Sequence, residues 1–155
     1  MAAADRKSAV LIGYDGSDFA KAAVKRAGEE LGSGRQAVIA TVFEPLDRVP
    51  FFAVAGMSVE SDTVSQLYES AAAAAGKIAE EGAALAREAG FEAETAVVEG
   101  NPVWNRLVEL GEERDADLIV IGSRGLSGVK HALLGSVAAA VAQHSKRSVL
   151  IVHRP

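Results

Sequence analysis

Asp117-Leu118-Ile119-Val120-Ile121 runs without interruption into Gly122-Ser123-Arg124-Gly125, and after nine further residues the chain reads Gly135-Ser136. The four consecutive apolar residues Leu118 to Ile121, ending at a glycine, have the pattern of a strand covered on both faces, as in a parallel sheet. Glycines let a backbone come close to an anion and turn its N–H groups toward it, and the helix that follows Gly135 adds the partial positive charge of its N-terminus. This strand, glycine loop and helix together predict an α/β protein with a phosphate-sized site at one strand end.

Working outward, the same alternation recurs along the whole chain. Ser8 to Tyr14 is a short apolar run ending at the turn-prone Asp15-Gly16-Ser17, with Ser17 as candidate N-cap. Ala20, Ala23, Val24, Ala27 and Leu31 then recur at helical spacing until Gly32-Ser33-Gly34. Gln36 to Phe43 is the second strand. A long connection over 44–62 carries Pro45, Pro50 and the apolar Phe51-Phe52 patch, a length typical of lids and interface segments. Thr63 and Gln66 form a capping box for a long helix, with a stripe through Val64, Leu67, Ala71, Ala74, Ile78, Gly82 and Leu85. Phe91 to Val98 is the third strand, and Asn101-Pro102 marks a helix start with Asn101 as N-cap and Trp104, Leu107, Val108 and Gly111 on its stripe. A helix from about Gly135 to His144 and a strand from Ser148 to His153 close the order βαβαβαβαβ. Right-handed crossovers make this an open, doubly wound parallel sheet with helices on both faces, one domain over residues 1–155.

Such sheets bind ligands at the carboxyl ends of the strands, where strand order reverses. For an order 3-2-1-4-5 the reversal lies between the first and fourth strands, so Asp15-Gly16-Ser17 and Gly122-Ser123-Arg124-Gly125 face each other across one cleft. The amides of Ser136 and Val137, with the Ser136 hydroxyl, donate at the helix start, and Arg124 and Lys130 supply counter-charge. Asp15 is placed to accept from an adenine amino group or a ribose hydroxyl; the competing reading makes it a turn residue capping the first helix.

Composition narrows the field. The 155 residues carry a net charge of −5, yet Gly122 to Pro155 contains no Asp or Glu and five Lys and Arg. Aromatic content of 5% and the acidic balance argue against a nucleic-acid surface. The absence of cysteine points to a reducing, cytoplasmic compartment, and no apolar run reaches the ~20 residues that span a bilayer. No Walker-type phosphate loop, dinucleotide-binding glycine triad or nucleophile-elbow motif is present, and His131 and His144 have no carboxylate near them in sequence.

Gly122, Gly125, Gly135 and Ser136 fit the spacing G-x2-G-x9-G-S/T, and with the Asp15-Gly16-Ser17 turn, Asn101-Pro102, Leu133-Leu134-Gly135-Ser136-Val137 and the terminal Val149 to His153 they make the chain resemble the universal stress protein family, in its ATP-binding branch. The resemblance covers essentially the whole chain. It implies the strand order 3-2-1-4-5 and an adenine nucleotide in the cleft. By motif match, Gly13, Asp15 and Val42 surround adenine and ribose, with Tyr14 beside them. Gly122, Gly125, Gly135, Ser136 and Val137 hold ribose and phosphates, with Ser123 and Arg124 in the same loop. ATP, with Mg2+ as its companion, is the implied ligand, and AMP or cyclic AMP are alternatives. Gly13 stands where some relatives carry a bulkier residue, which leaves the fit around the base open. A homodimer through the C-terminal edge strand is implied as well. The expected role is a stress-response regulator. With Asp15 as the one acid placed in the cleft, slow or absent ATP hydrolysis is expected; a slow ATPase and a scaffold with a vestigial pocket are the other readings.

Overall fold

The computed structural model describes residues 9–44, 61–126 and 133–154. The 45–60 connection with its Phe51-Phe52 patch, and Lys130 and His131, lie outside the described residues. The described residues form five strands, β1 (Val10–Gly13), β2 (Gln36–Phe43), β3 (Glu92–Glu99), β4 (Leu118–Gly122) and β5 (Ser148–Val152), and four helices, α1 (Asp18–Leu31), α2 (Ser61–Glu88), α3 (Val103–Glu113) and α4 (Ser136–His144). All strand pairings are parallel and the sheet order is β3-β2-β1-β4-β5. The doubly wound reading of the sequence therefore holds, including the reversal between β1 and β4.

The continuous apolar runs have their cause in this arrangement. β1 is central, and its alternate side chains serve two cores. Val10, Ile12 and Tyr14 pack with Ala20, Ala23 and Val24 of α1 and Ala83 and Ala86 of α2. Leu11 faces the opposite layer with Ile119 and Ile121 of β4, Leu107 and Leu110 of α3 and Val141 of α4. Fully burying each such Leu or Ile contributes about 1.5–3 kcal/mol. Among the described residues no helix is long and apolar enough to cross a membrane.

Three local expectations are corrected. Thr63 lies within α2, which includes Ser61, so Thr63 and Gln66 do not cap it. Of the expected α2 stripe, Gly82 is buried and Ile78 and Leu85 pack against the core, but Val64 and Leu67 are exposed, and the buried side chains are Ala75, Ala79, Ala83 and Ala86. Small side chains win these positions because α2 lies so close to the sheet that a Cβ on Gly82 would come within 2.7 Å of the Tyr14 ring and 2.8 Å of Ile39. At α3, Pro102 rather than Asn101 takes the N-cap position: its backbone is extended (φ −72°, ψ 152°), and its carbonyl accepts from the amides of Asn105 and Arg106. The Asn101–Pro102 peptide is cis.

Candidate functional site

Where β1 ends, two contacts fix the backbone of Tyr14 and a third fixes its side chain. The Tyr14 amide donates to the Ala40 carbonyl at 2.9 Å, and the Thr41 hydroxyl donates to the Tyr14 carbonyl at 2.9 Å. The Tyr14 ring turns into the α1/α2 core, where its hydroxyl donates to Glu81 Oε1 at 2.6 Å. Burial, then this hydrogen bond, pushes the Tyr14 hydroxyl well above the usual phenol range, so it stays protonated. The bond from Tyr14, followed by that from Lys21, holds the Glu81 carboxyl below its ordinary range. The polar end of Tyr14 is thus committed to α2.

Asp15 ties two distant segments together. Its Oδ1 accepts from the Ser17 amide at 2.9 Å, tightening the turn, and its Oδ2 accepts from the Leu126 amide at 3.2 Å, across the reversal point. The α1 cap itself is Ser17, whose hydroxyl accepts from Ala20 at 3.1 Å. Asp15 is therefore the brace of the turn and a bridge to the glycine loop, and the helix-capping reading belongs to its neighbour.

Each signature glycine sits at a close approach within the protein, and only at Gly122 is the neighbour helix backbone at under 3 Å. A Cβ on Gly122 would lie 2.8 Å from the Phe19 carbonyl carbon and 2.9 Å from its oxygen; one on Gly125 would lie 2.7 Å from Asp15 Oδ2; one on Gly135 would lie 3.3 Å from Arg124 Cα. The end of β4, the loop and the start of α4 are consequently pressed together. The Gly135 amide donates to the Ser123 carbonyl at 2.6 Å, and Gly135 is the N-cap of α4. The first-turn amides of α4 have no intrahelical acceptor, and the helix dipole makes them a favourable place for negative charge.

These elements enclose a cleft of about 320 Å3. Of the eleven residues expected from the sequence, ten line it: Gly13, Tyr14 and Asp15 from the β1 end, Val42 from β2, Gly122, Arg124 and Gly125 from the loop, and Gly135, Ser136 and Val137 from α4. Ser123 is the exception. It is buried behind the wall, its amide donating to Val152 at 2.8 Å and its carbonyl held by Gly135. The sequence reading missed the apolar half of the cleft: Ala40 of β2, Val103 and Leu107 of α3, Ile121 of β4 and Ala138 of α4, with Ala20 of α1 and the exposed Leu126. As sequence these are ordinary core residues; only their position at strand ends and helix starts could have singled them out. One end of the cleft is thus apolar enough for a planar ring, and the other presents amides and one guanidinium. Outside the lining, Trp104 of α3 stacks on His144 at the C-terminal end of α4, with ring centroids 4.5 Å apart.

Comparison with known proteins agrees with this geometry. The profile of the Universal stress protein family matches residues 8–153. The chain is 35% identical over 147 residues to the universal stress protein Rv1636 of Mycobacterium tuberculosis (strain H37Rv), covering 93% of this chain and 94% of that protein. A crystal structure of a universal stress protein in complex with cAMP superposes with a TM-score of 0.63 at 37% identity, over 94% of this chain and 96% of that one. The fold is also that of MJ0577 from Methanocaldococcus jannaschii, with a TM-score of 0.77 at 24% identity, covering 97% of this chain and 99% of that chain. By profile, by full-length similarity and by fold, the chain belongs to the universal stress protein family.

Proposed function

We propose that this protein binds an adenine nucleotide in the cleft between β1 and β4, with ATP as the ligand, and acts as a dimeric, nucleotide-dependent stress-response regulator rather than as an efficient catalyst. The observation that carries this reading is the pairing, in one cleft, of an apolar end with the unpaired first-turn amides of α4. The apolar end, from Val42, Val103 and Leu107, suits a base. The amides of Ser136 and Val137 suit a phosphate, and a side chain at Gly135 would crowd Arg124 and Ser123 beside them. Among the described residues, Mg2+ arriving with ATP would meet one lining carboxylate, Asp15, whose oxygens already accept from Ser17 and Leu126. That supports slow turnover at most, since phosphoryl transfer needs a positioned nucleophile and compensation of developing charge.

The complex of a 37%-identical relative with cAMP supports a second reading, in which the ligand is a cyclic nucleotide. Calorimetric titration of the full chain with ATP, AMP and cyclic AMP, paired with a phosphate-release assay, separates the two. Micromolar ATP binding with little phosphate release is the expected result. Tighter binding of cyclic AMP would select the second reading, and turnover near the ~10 s⁻¹ typical of enzymes would overturn the regulator reading.

Asp15→Ala should weaken nucleotide binding by about tenfold, the scale of a hydrogen bond to a charged group, while leaving the fold intact. Calorimetry and circular dichroism on the same preparation check this. A collapsed melting transition with unchanged affinity per folded molecule would reduce Asp15 to a brace between the two loops.

The dimer is argued from the edge of the sheet. β5 pairs with β4 on one side, and its side chains from Val149 to Ile151 are only partly buried, an edge that natural sheets cover or pair. Leu150→Glu should therefore shift the protein toward monomers in sedimentation velocity. An unchanged dimer would move the interface elsewhere.

A further inference from the structure

Eight arginines fall among the described residues, and seven pair with an Asp or Glu, as Arg35 does with Asp117 at 2.9 Å and Arg154 with Asp18 at 3.3 Å. Arg124 is the exception. In an acidic chain rich in available carboxylates, none of the described ones pairs with it, and its Nε is the one buried side-chain nitrogen or oxygen among the described residues with no hydrogen-bond partner. A guanidinium carries five donors and no acceptor, so a buried donor left unmet is unfavourable unless a ligand supplies the acceptor.

The side chain is held rather than loose. Its Cζ lies 5.7 Å from the centroid of the Phe19 ring. Phe19 is fixed in turn, because its backbone and Cβ press directly on Gly122, two residues before Arg124. The Phe19 ring lies on one side of the cation at cation–π distance, and the guanidinium N–H groups turned away from it suit a phosphate acceptor. Arg124 lines the same cleft as Ser136 and Val137 at the start of α4.

We infer that Arg124, held on Phe19, recognises the phosphoryl charge of the bound ligand, so that the site selects nucleoside phosphates over nucleosides. The inference rests on the nucleotide reading above and adds a specificity-determining residue and a positioning residue to it. Phe19 does not line the cleft; it acts by presenting the guanidinium.

The test is calorimetric titration of the full chain with AMP and with adenosine, for the wild type and for Arg124→Gln, Arg124→Lys and Phe19→Leu. Arg124→Gln should lower AMP affinity about tenfold or more and leave adenosine affinity unchanged. Arg124→Lys should restore part of the preference, since it returns the charge without the planar fork. Phe19→Leu should reduce the AMP preference in the wild-type background and have no further effect beside Arg124→Gln, the signature of a coupled pair. Equal losses for AMP and adenosine, or no loss of AMP affinity, would overturn the inference. Should Arg124→Gln not fold, Arg124→Lys carries the same comparison, with a smaller loss of AMP preference as the supporting result and an unchanged preference as the overturning one. If the wild type binds neither compound, the nucleotide reading fails, and titration with inorganic pyrophosphate followed by phosphorus NMR decides the role of Arg124 alone. Binding that disappears in Arg124→Gln supports that role; binding equal in both proteins, or absent from the wild type, overturns it.

Discussion

A Gly122→Val variant is expected to unfold about 6–12 °C below the wild type, corresponding to about 3 kcal/mol, at the upper end of what overpacking a core costs. The added Cβ would stand 2.8 Å from the Phe19 carbonyl carbon and 2.9 Å from its oxygen, and both are backbone atoms of the first turn of α1. That turn has little freedom to withdraw. Its start is capped by Ser17, and its inner face, through Ala20, Ala23 and Val24, is buried against β1. β4 cannot yield either, being paired with β1 on one side and β5 on the other. Thermal unfolding followed by circular dichroism checks the expectation; a melting temperature equal to the wild type would mean that α1 and β4 part more readily than this packing allows. Nucleotide affinity is secondary here, because the position matters first to the fold.

Gly135→Val is expected to act chiefly on binding, lowering nucleotide affinity about hundredfold, or about 2.7 kcal/mol. Its Cβ would lie 3.3 Å from Arg124 Cα and 3.4 Å from the Ser123 carbonyl oxygen, a shortfall of a few tenths of an ångström that the loop can absorb by shifting. The shift would move Arg124 and lengthen the 2.6 Å bond from the Gly135 amide to Ser123 that sets the direction of α4. The rest of the valine would stand at the mouth of the first-turn amides. Calorimetry on a variant shown to be folded is the check. Tight binding retained by such a variant would place the phosphates away from Gly135. The contrast between the two valines is itself informative, since one glycine faces helix backbone and the other faces a loop.

How much of this was legible in the sequence depends on the range of the interaction that decides each feature. The strands could be read because burial on both faces demands unbroken apolar runs, as in Ala37 to Ala40 and Ile119 to Ile121. The cleft could be placed because topology, not side-chain chemistry, brings the β1 and β4 ends together. The phase of α2 could be read only in part: Ile78, Gly82 and Leu85 do face the core, but the more apolar Val64 and Leu67 are exposed, and the closeness of the sheet selects Ala75, Ala79 and Ala83 as buried positions. Nor could the reason for Gly122, which is a contact with Phe19 more than a hundred residues earlier in the chain. Tyr14 stands next to Asp15 in sequence but, by strand alternation, sends its hydroxyl to the opposite layer and Glu81. Residues that act through the backbone or through topology were found, and those whose role rests on a distant side chain were not.

The central position of β1 also sets an order of events on the ribosome. β2 begins at Gln36, so one edge of β1 can be paired soon after it emerges; the other waits for Leu118, roughly a hundred residues later. At a translation rate of about 5–20 residues per second, that edge remains open for roughly 5–20 s. Asp15 likewise has no Leu126 amide to hold until then. A nascent or truncated chain therefore cannot offer the cleft, and whatever occupies it can stabilise only molecules whose synthesis has passed β4.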